Sequence, residues 1–223
     1  NFKGGKIFSV LDPAKNLAFY RVAGKAHWSP GSLPEGTTPG LRETVQWNPR
    51  ELTPPTDNDE INTSLTYGFI FDFCAVEIDR ITGEVRIDKY VTMHDGGRLL
   101  NPALVESQVH GALGQAFGAT LYENFAYGPD GNLLTGTFAD YLLPTAMEIP
   151  PTQLLHQETP SPFTPLGTKG VGEGNSMTTP ACVGNAVADA LGIRDVPLPI
   201  TPARIAALLH GDEPPPPSKS IGP

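Results

Sequence analysis

Apolar and polar residues alternate along residues 70–78. Ile70, Asp72, Cys74, Val76 and Ile78 fall on one side and Phe71, Phe73, Ala75 and Glu77 on the other. A period of two sends successive side chains to opposite faces of a strand. Residues 65–79 (LTYGFIFDFCAVEID) and 84–93 (EVRIDKYVTM), separated by RITG, therefore predict a β-hairpin. The period then lengthens: Val105, Val109, Ala112, Ala116 and Ala119 recur at steps of three and four. Asn101 suits the N-cap and Pro102 the first helical position, where a missing N–H costs nothing. A helix is expected from there to about Tyr122. Pro129-Asp130-Gly131 has turn chemistry and predicts a short second hairpin over 127–134. Two more helices are expected, over 175–191 with Pro180 in or near the first turn, and over 201–210 behind Thr201 and Pro202. Strands and helices mix without strict βαβ alternation, which gives an α+β class with antiparallel pairs beside long helices.

Glycine and proline, 24 of each among 223 residues, break this pattern in two places. Residues 28–64 predict a Pro/Gly-rich irregular connection after a strand/helix segment at 1–27. The tail at 211–223, with DEPPPPSKSIGP, predicts an extended polyproline-type segment after the main body at 65–210. The net charge of −9 argues against a nucleic-acid partner. No apolar run approaches the roughly 20 residues of a membrane span. The two cysteines, Cys74 and Cys182, lie in apolar surroundings without a CxxC partner, so they read as buried free thiols in a reducing compartment, the cytoplasm. A chain that starts at Asn1 rather than Met is expected to be a processed or truncated product, from which a leader could be missing.

Three stretches carry candidate chemistry. On the first long helix Gln108, Gly111, Gln115 and Gly118 form one stripe. An interior glycine costs roughly 1 kcal/mol against alanine. Two readings are open: the glycines allow close helix packing, or the stripe faces a large heteroatom-rich ligand. In HDGGRLLNP (94–102), His94 and Asp95 form a metal pair without a third ligand, and a tight turn at Asp95-Gly96-Gly97 is the preferred reading. In GTKGVGEGN (167–175) glycines surround Lys169 and a lone acid, Glu173. The order and spacing fit neither the nucleoside-triphosphate loop nor the dinucleotide fingerprint. A structural turn stays open beside the alternative, a carboxylate positioned as a base toward a bound group.

Taken together, HDGGRLLNPALVESQVHGALGQAFGATLYE, GTFADYLLPTA and SPFTPLGTKGVGEGNSMTTPACVGNAVADAL resemble the C-terminal portion of the molybdenum-binding large subunit of the xanthine dehydrogenase family. That family includes aldehyde oxidases and aerobic carbon monoxide dehydrogenases. The resemblance runs from about Gly68 to Ile205, and more loosely from Lys6. It implies that Glu173, in the family's GxGE motif, is the catalytic base beside molybdenum. It implies that Gln108, in the QVxG motif, hydrogen-bonds the pterin, and that Lys169, Gly170, Val171 and Gly172 contact the cofactor. No residue would ligate the metal directly. The cofactor implied is molybdopterin with molybdenum, in the cytosine dinucleotide form, with 2Fe-2S clusters and FAD on partner chains. The implied reaction is hydroxylation of a small molecule, an aromatic N-heterocycle or an aldehyde, at an electron-poor carbon with oxygen from water. The family's upstream cofactor-binding segments are absent, so the remainder of the large subunit, an iron–sulfur subunit and an FAD subunit are the partners implied. The competing expectation is a non-catalytic scaffold or assembly subunit of the same fold.

Overall fold

A computed structural model describes residues 1–211; the predicted polyproline-type stretch at 212–223 lies outside the described residues. The chain divides into two compact units, Asn1–Asn48 and Pro49–Pro223. In the first, β1 (Phe2–Lys3), β2 (Lys6–Phe8) and β3 (Asn16–Ala18) form an antiparallel sheet that runs into α1 (Phe19–Trp28). Phe2 packs edge-on against Phe19 with centroids 5.6 Å apart, joining the first strand to the helix.

The second unit holds the expected hairpin. β4 (Phe69–Ile78) and β5 (Val85–Asp95) pair antiparallel, with a register shift between Ala75 and Val76. The alternation decides which face is covered. Ile70, Asp72, Cys74, Val76 and Ile78 turn inward, while Phe69, Phe71 and Phe73 are 69%, 66% and 59% exposed. A third strand, β6 (Thr152–Gln157), runs parallel to β5, a departure from purely antiparallel pairing. Its inward positions are Thr152, Leu154 and His156, only one of them apolar, so it lacks the hydrophobic period that reveals a strand.

α2 (Pro102–Phe117) starts where the sequence places it, with the Asn101 side chain accepting from the Leu104 N–H at 3.3 Å. It becomes a π-turn over Gly118–Tyr122, and a Cβ on Gly118 would run into the Glu123 carboxylate and Pro144. α3 (Gly174–Leu191) carries Pro180 inside the helix rather than in its first turn, and α4 (Pro202–His210) follows the Thr201 cap, whose hydroxyl accepts from the Arg204 N–H at 3.4 Å. The expected hairpin at 127–134 keeps its turn but is reduced to one bridge, between Tyr127 and Leu133.

The core lies between the sheet and α2, α3 and α4. Tyr90, Val109, Leu113, Phe117, Val183, Val187 and Ile205 are buried there, and Tyr90 meets Phe117 edge-on with centroids 5.1 Å apart. Replacing Leu113, which is 0% exposed, with alanine should cost about 2–5 kcal/mol in urea unfolding. Leu104→Ala, at a side chain 64% exposed one face away, should cost under about 0.5 kcal/mol.

Candidate functional site

Residues 167–169 pair with the turn that follows β5, and the chain then runs on to Glu173 without further pairing. The Arg98 N–H donates to Gly167 O at 2.9 Å and the Lys169 N–H to Gly96 O at 2.8 Å, with Gly97 bridged to Thr168. The predicted Asp95 turn is present, since Asp95 Oδ1 accepts from the Gly97 N–H at 3.0 Å. Asp95 does more than close that turn. Its Oδ2 faces the Lys169 ammonium at 3.0 Å, and its carboxylate also accepts from the Thr159 N–H at 3.1 Å and from the Thr159 hydroxyl. The side chains of Lys169 and Asp95 are only 10% and 8% exposed. Burial alone would push the Asp95 carboxyl up; the bonds from Thr159, Gly97 and Lys169 outweigh it and hold it well below the usual carboxylate range.

Beyond the loop, α3 is fastened by its first two turns. Asn175 Nδ2 donates to Asp72 Oδ1 at 3.2 Å and to Thr92 Oγ1 at 3.1 Å, and the Thr178 hydroxyl donates to Asp72 Oδ2 at 2.6 Å. Gly174 is glycine for a steric reason, because a Cβ there would collide with Ile70 Cδ1. Gly167 is glycine for a conformational one, with φ of +74°. Gly170 and Gly172 answer to neither constraint. A Cβ on Gly170 would meet nothing within 4 Å, and one on Gly172 would meet only Gln108 Oε1, at 3.8 Å. Gly111, the next turn of α2 after Gln108, is likewise open, so close helix packing does not account for it.

Those two glycines border a cleft of about 560 Å³, lined also by Tyr67, Phe69, His94 and Glu173. Glu173 is exposed there and makes no capping bond at the start of α3. Among the described residues the N–H groups of Gly170, Val171, Gly172 and Glu173 find no protein acceptor. They lead directly into the N-terminus of an 18-residue helix, the arrangement that receives anionic, acceptor-rich groups. Beneath the loop His94 is 1% exposed, with both ring nitrogens unpartnered among the described residues, and burial pushes its pKa down. No group of three or more His, Cys, Asp or Glu able to hold a metal ion occurs among the described residues. The donors present, unpaired N–H groups at a helix N-terminus, suit a polar, anionic organic group.

The site residues expected from the sequence thus converge unevenly. Gln108 on α2 reaches Gly172, and Gly170, Val171, Gly172 and Glu173 line the cleft, while the Lys169 ammonium is engaged by Asp95 and Thr159. Asp72 and Thr159 carry no motif. The signal for Asp72 was an acid among four apolar residues on the inward face of a strand.

Residues 1–150 match the molybdopterin cofactor-binding domain family; the matched stretch includes α2 and ends before the glycine loop. The nicotine 6-hydroxylase large subunit of Paenarthrobacter nicotinovorans is 37% identical over 207 residues, which are 91% of this chain and 24% of that protein. The carbon monoxide dehydrogenase large chain of Hydrogenophaga pseudoflava is 33% identical over 198 residues, 87% of this chain and 22% of that one. Among solved structures, a Cu,Mo-CO dehydrogenase superposes with a TM-score of 0.80 at 29% identity, over 95% of this chain and 25% of that one. Quinoline 2-oxidoreductase from Pseudomonas putida 86 gives 0.77 at 32%, over 94% and 25%. The chain spans about a quarter of the length of the relatives it matches.

Two measurements check the site's geometry. Gly174→Ala should destabilise by about 1–3 kcal/mol through the clash with Ile70, whereas Gly170→Ala should leave the unfolding midpoint within about 0.5 kcal/mol of the parent. Both His94 and Asp95 resist protonation in the folded state, so the unfolded chain binds more protons as pH falls. The stability tied to His94 is complete above about pH 6.5 and lost below it; that tied to Asp95 is complete above about pH 3.9 and lost below it. Urea midpoints measured from neutral to acid pH should fall in two stages, and His94→Gln should remove the first stage alone.

Proposed function

This chain belongs to the molybdopterin cofactor-binding domain family, and from that premise we propose that it forms one wall of a molybdenum hydroxylase active site, with Glu173 as the catalytic base. The observation that carries this reading is the meeting of three elements around the glycine loop. The Gln108 amide approaches Gly172, the backbone of Gly170 and Gly172 is bare, and a carboxylate without a capping partner stands beside them. The α+β fold of this unit is that of molybdenum-enzyme structures, to which the chain is similar over nearly its whole length.

A molybdenum-bearing pterin held here would supply an oxygen derived from water and would accept the two electrons lost by the substrate carbon. This chain's own residues contribute binding, charge stabilisation and proton transfer. Gln108 offers both an amide donor and an acceptor to the pterin's heteroatoms. The N–H groups of residues 170–173 and the α3 N-terminus stabilise negative charge on the cofactor. Glu173 takes the proton released as the new carbon–oxygen bond forms, a role that contributes roughly 10²–10⁴-fold in rate. Gly170 and Gly172 keep the wall free of side chains, so a flat group can lie against the backbone.

The substrate class we propose is an aromatic N-heterocycle, with an aldehyde as the second choice. Relatives named for nicotine and quinoline support the first and aldehyde oxidoreductases the second. The remainder of the large subunit completes the site. A relative named as one subunit of a dehydrogenase complex supports assembly with further chains. The exposed Phe69, Phe71 and Phe73 on one face of β4 support it too. Iron–sulfur and FAD subunits are the proposed electron path, and the cytosine dinucleotide is the proposed form of the pterin. Two free, half-buried cysteines suit a reducing compartment, and the cytoplasm is the proposed location. Among the described residues no helix is long and apolar enough to cross a membrane.

Glu173→Gln in the intact complex should keep molybdenum content and subunit composition while kcat falls by about 10²-fold or more. Turnover at the parent rate in that variant overturns the assignment of the base.

A further inference from the structure

We propose that the buried Lys169–Asp95 ion pair is a latch that sets where Glu173 stands, which makes Lys169 a positioning residue and not a ligand of the bound cofactor. The proposal rests on the reading of Glu173 as the base. Lys169 precedes Glu173 by four residues and Asn175 follows it by two. These two side chains fasten the loop at its ends: Lys169 to Asp95 at the end of β5, and Asn175 to Thr92 on the same strand and to Asp72 on β4. Between the posts the chain has little to hold it. Gly170 and Gly172 have no side chains, Glu173 makes no capping bond, and Val171 alone lays its side chain on the fold, over Gly96. The position of the carboxylate therefore follows from where the two posts hold the backbone.

The chemistry of the ammonium supports the same assignment. A lysine ammonium has three N–H donors. One meets Asp95 Oδ2 at 3.0 Å and another Thr159 Oγ1 at 2.8 Å, and the nitrogen stands 5.7 Å from the centroid of the Phe69 ring. Its donors are directed at protein groups, and its side chain is 10% exposed. Asp95 in turn is held by three segments at once: its own turn at Gly97, the Thr159 segment and the glycine loop. Removing one partner from such a pair leaves a buried charge without compensation. The latch thus has one strongly preferred closed state, and the loop inherits it.

The test uses the intact complex and compares K169M, K169R and the near-isosteric D95N with E173Q. On the proposal K169M and D95N keep molybdenum content, leave KM within about twofold and lower kcat by about 10- to 100-fold. Amide exchange should accelerate in peptides containing Arg98 and Lys169, whose N–H groups donate to Gly167 and Gly96 across the loop. K169R, which can still pair with a carboxylate, should recover most of both properties. Loss of molybdenum in proportion to activity, with exchange unchanged, overturns the proposal in favour of a cofactor ligand. Parent kcat with unchanged exchange overturns it outright. If E173Q remains active the base assignment falls by itself, and accelerated exchange in K169M and D95N still identifies the latch.

Discussion

Asp72 is the one charged side chain on the inward face of β4, and α3 and β5 both close upon it. It accepts from the Tyr90 hydroxyl at 2.7 Å, from Asn175 Nδ2 at 3.2 Å and from the Thr178 hydroxyl at 2.6 Å. A half-buried carboxylate without donors carries a desolvation cost of several kcal/mol, and these bonds offset it. Each donor sits on an element that must be correctly placed for the bond to form, so the carboxylate fixes how α3 is rotated and how far it is advanced along the sheet. Glu173 stands immediately before that helix. The arrangement of the cleft follows from a charge placed where the hydrophobic pattern alone would have put another aliphatic residue.

The same strand carries the second fixed point. Thr92 and Asp95 are three residues apart on β5, and they receive Asn175 and Lys169 from the two sides of the glycine loop. β5 is central, with β4 antiparallel on one edge and β6 parallel on the other, so its backbone is held on both sides. A central strand is a stiff reference, and the least constrained segment of the site is suspended from it. This separates two duties: rigidity resides in buried polar pairs, and openness resides in glycines that no fold constraint demands.

Much of this was legible along the chain. The alternation at 70–78, the Asn101-Pro102 and Thr201-Pro202 starts and the helical steps of Val105, Val109 and Ala112 are local signals, and the elements formed where those signals lie. β6 escaped because its inward face, Thr152, Leu154 and His156, is mostly polar and so hides the period of two. The purpose of the glycines was not legible either. Gly174 and Gly170 look alike in sequence, yet a Cβ on one would run into Ile70 and a Cβ on the other would face open space, a difference set by a residue about a hundred positions away.

The sequence by itself determined the α+β class, the capped starts of two helices and the motifs that join this chain to its family, because each depends on residues close together along the backbone. Only the tertiary structure decided that the Lys169 amine binds Asp95, that Gln108 reaches Gly172, and that α3 hangs on Asp72. These are contacts between distant segments, and which one wins is decided by burial. A charge removed from water must take the partner that the packed elements bring to it, and no spacing along the chain states which partner that will be.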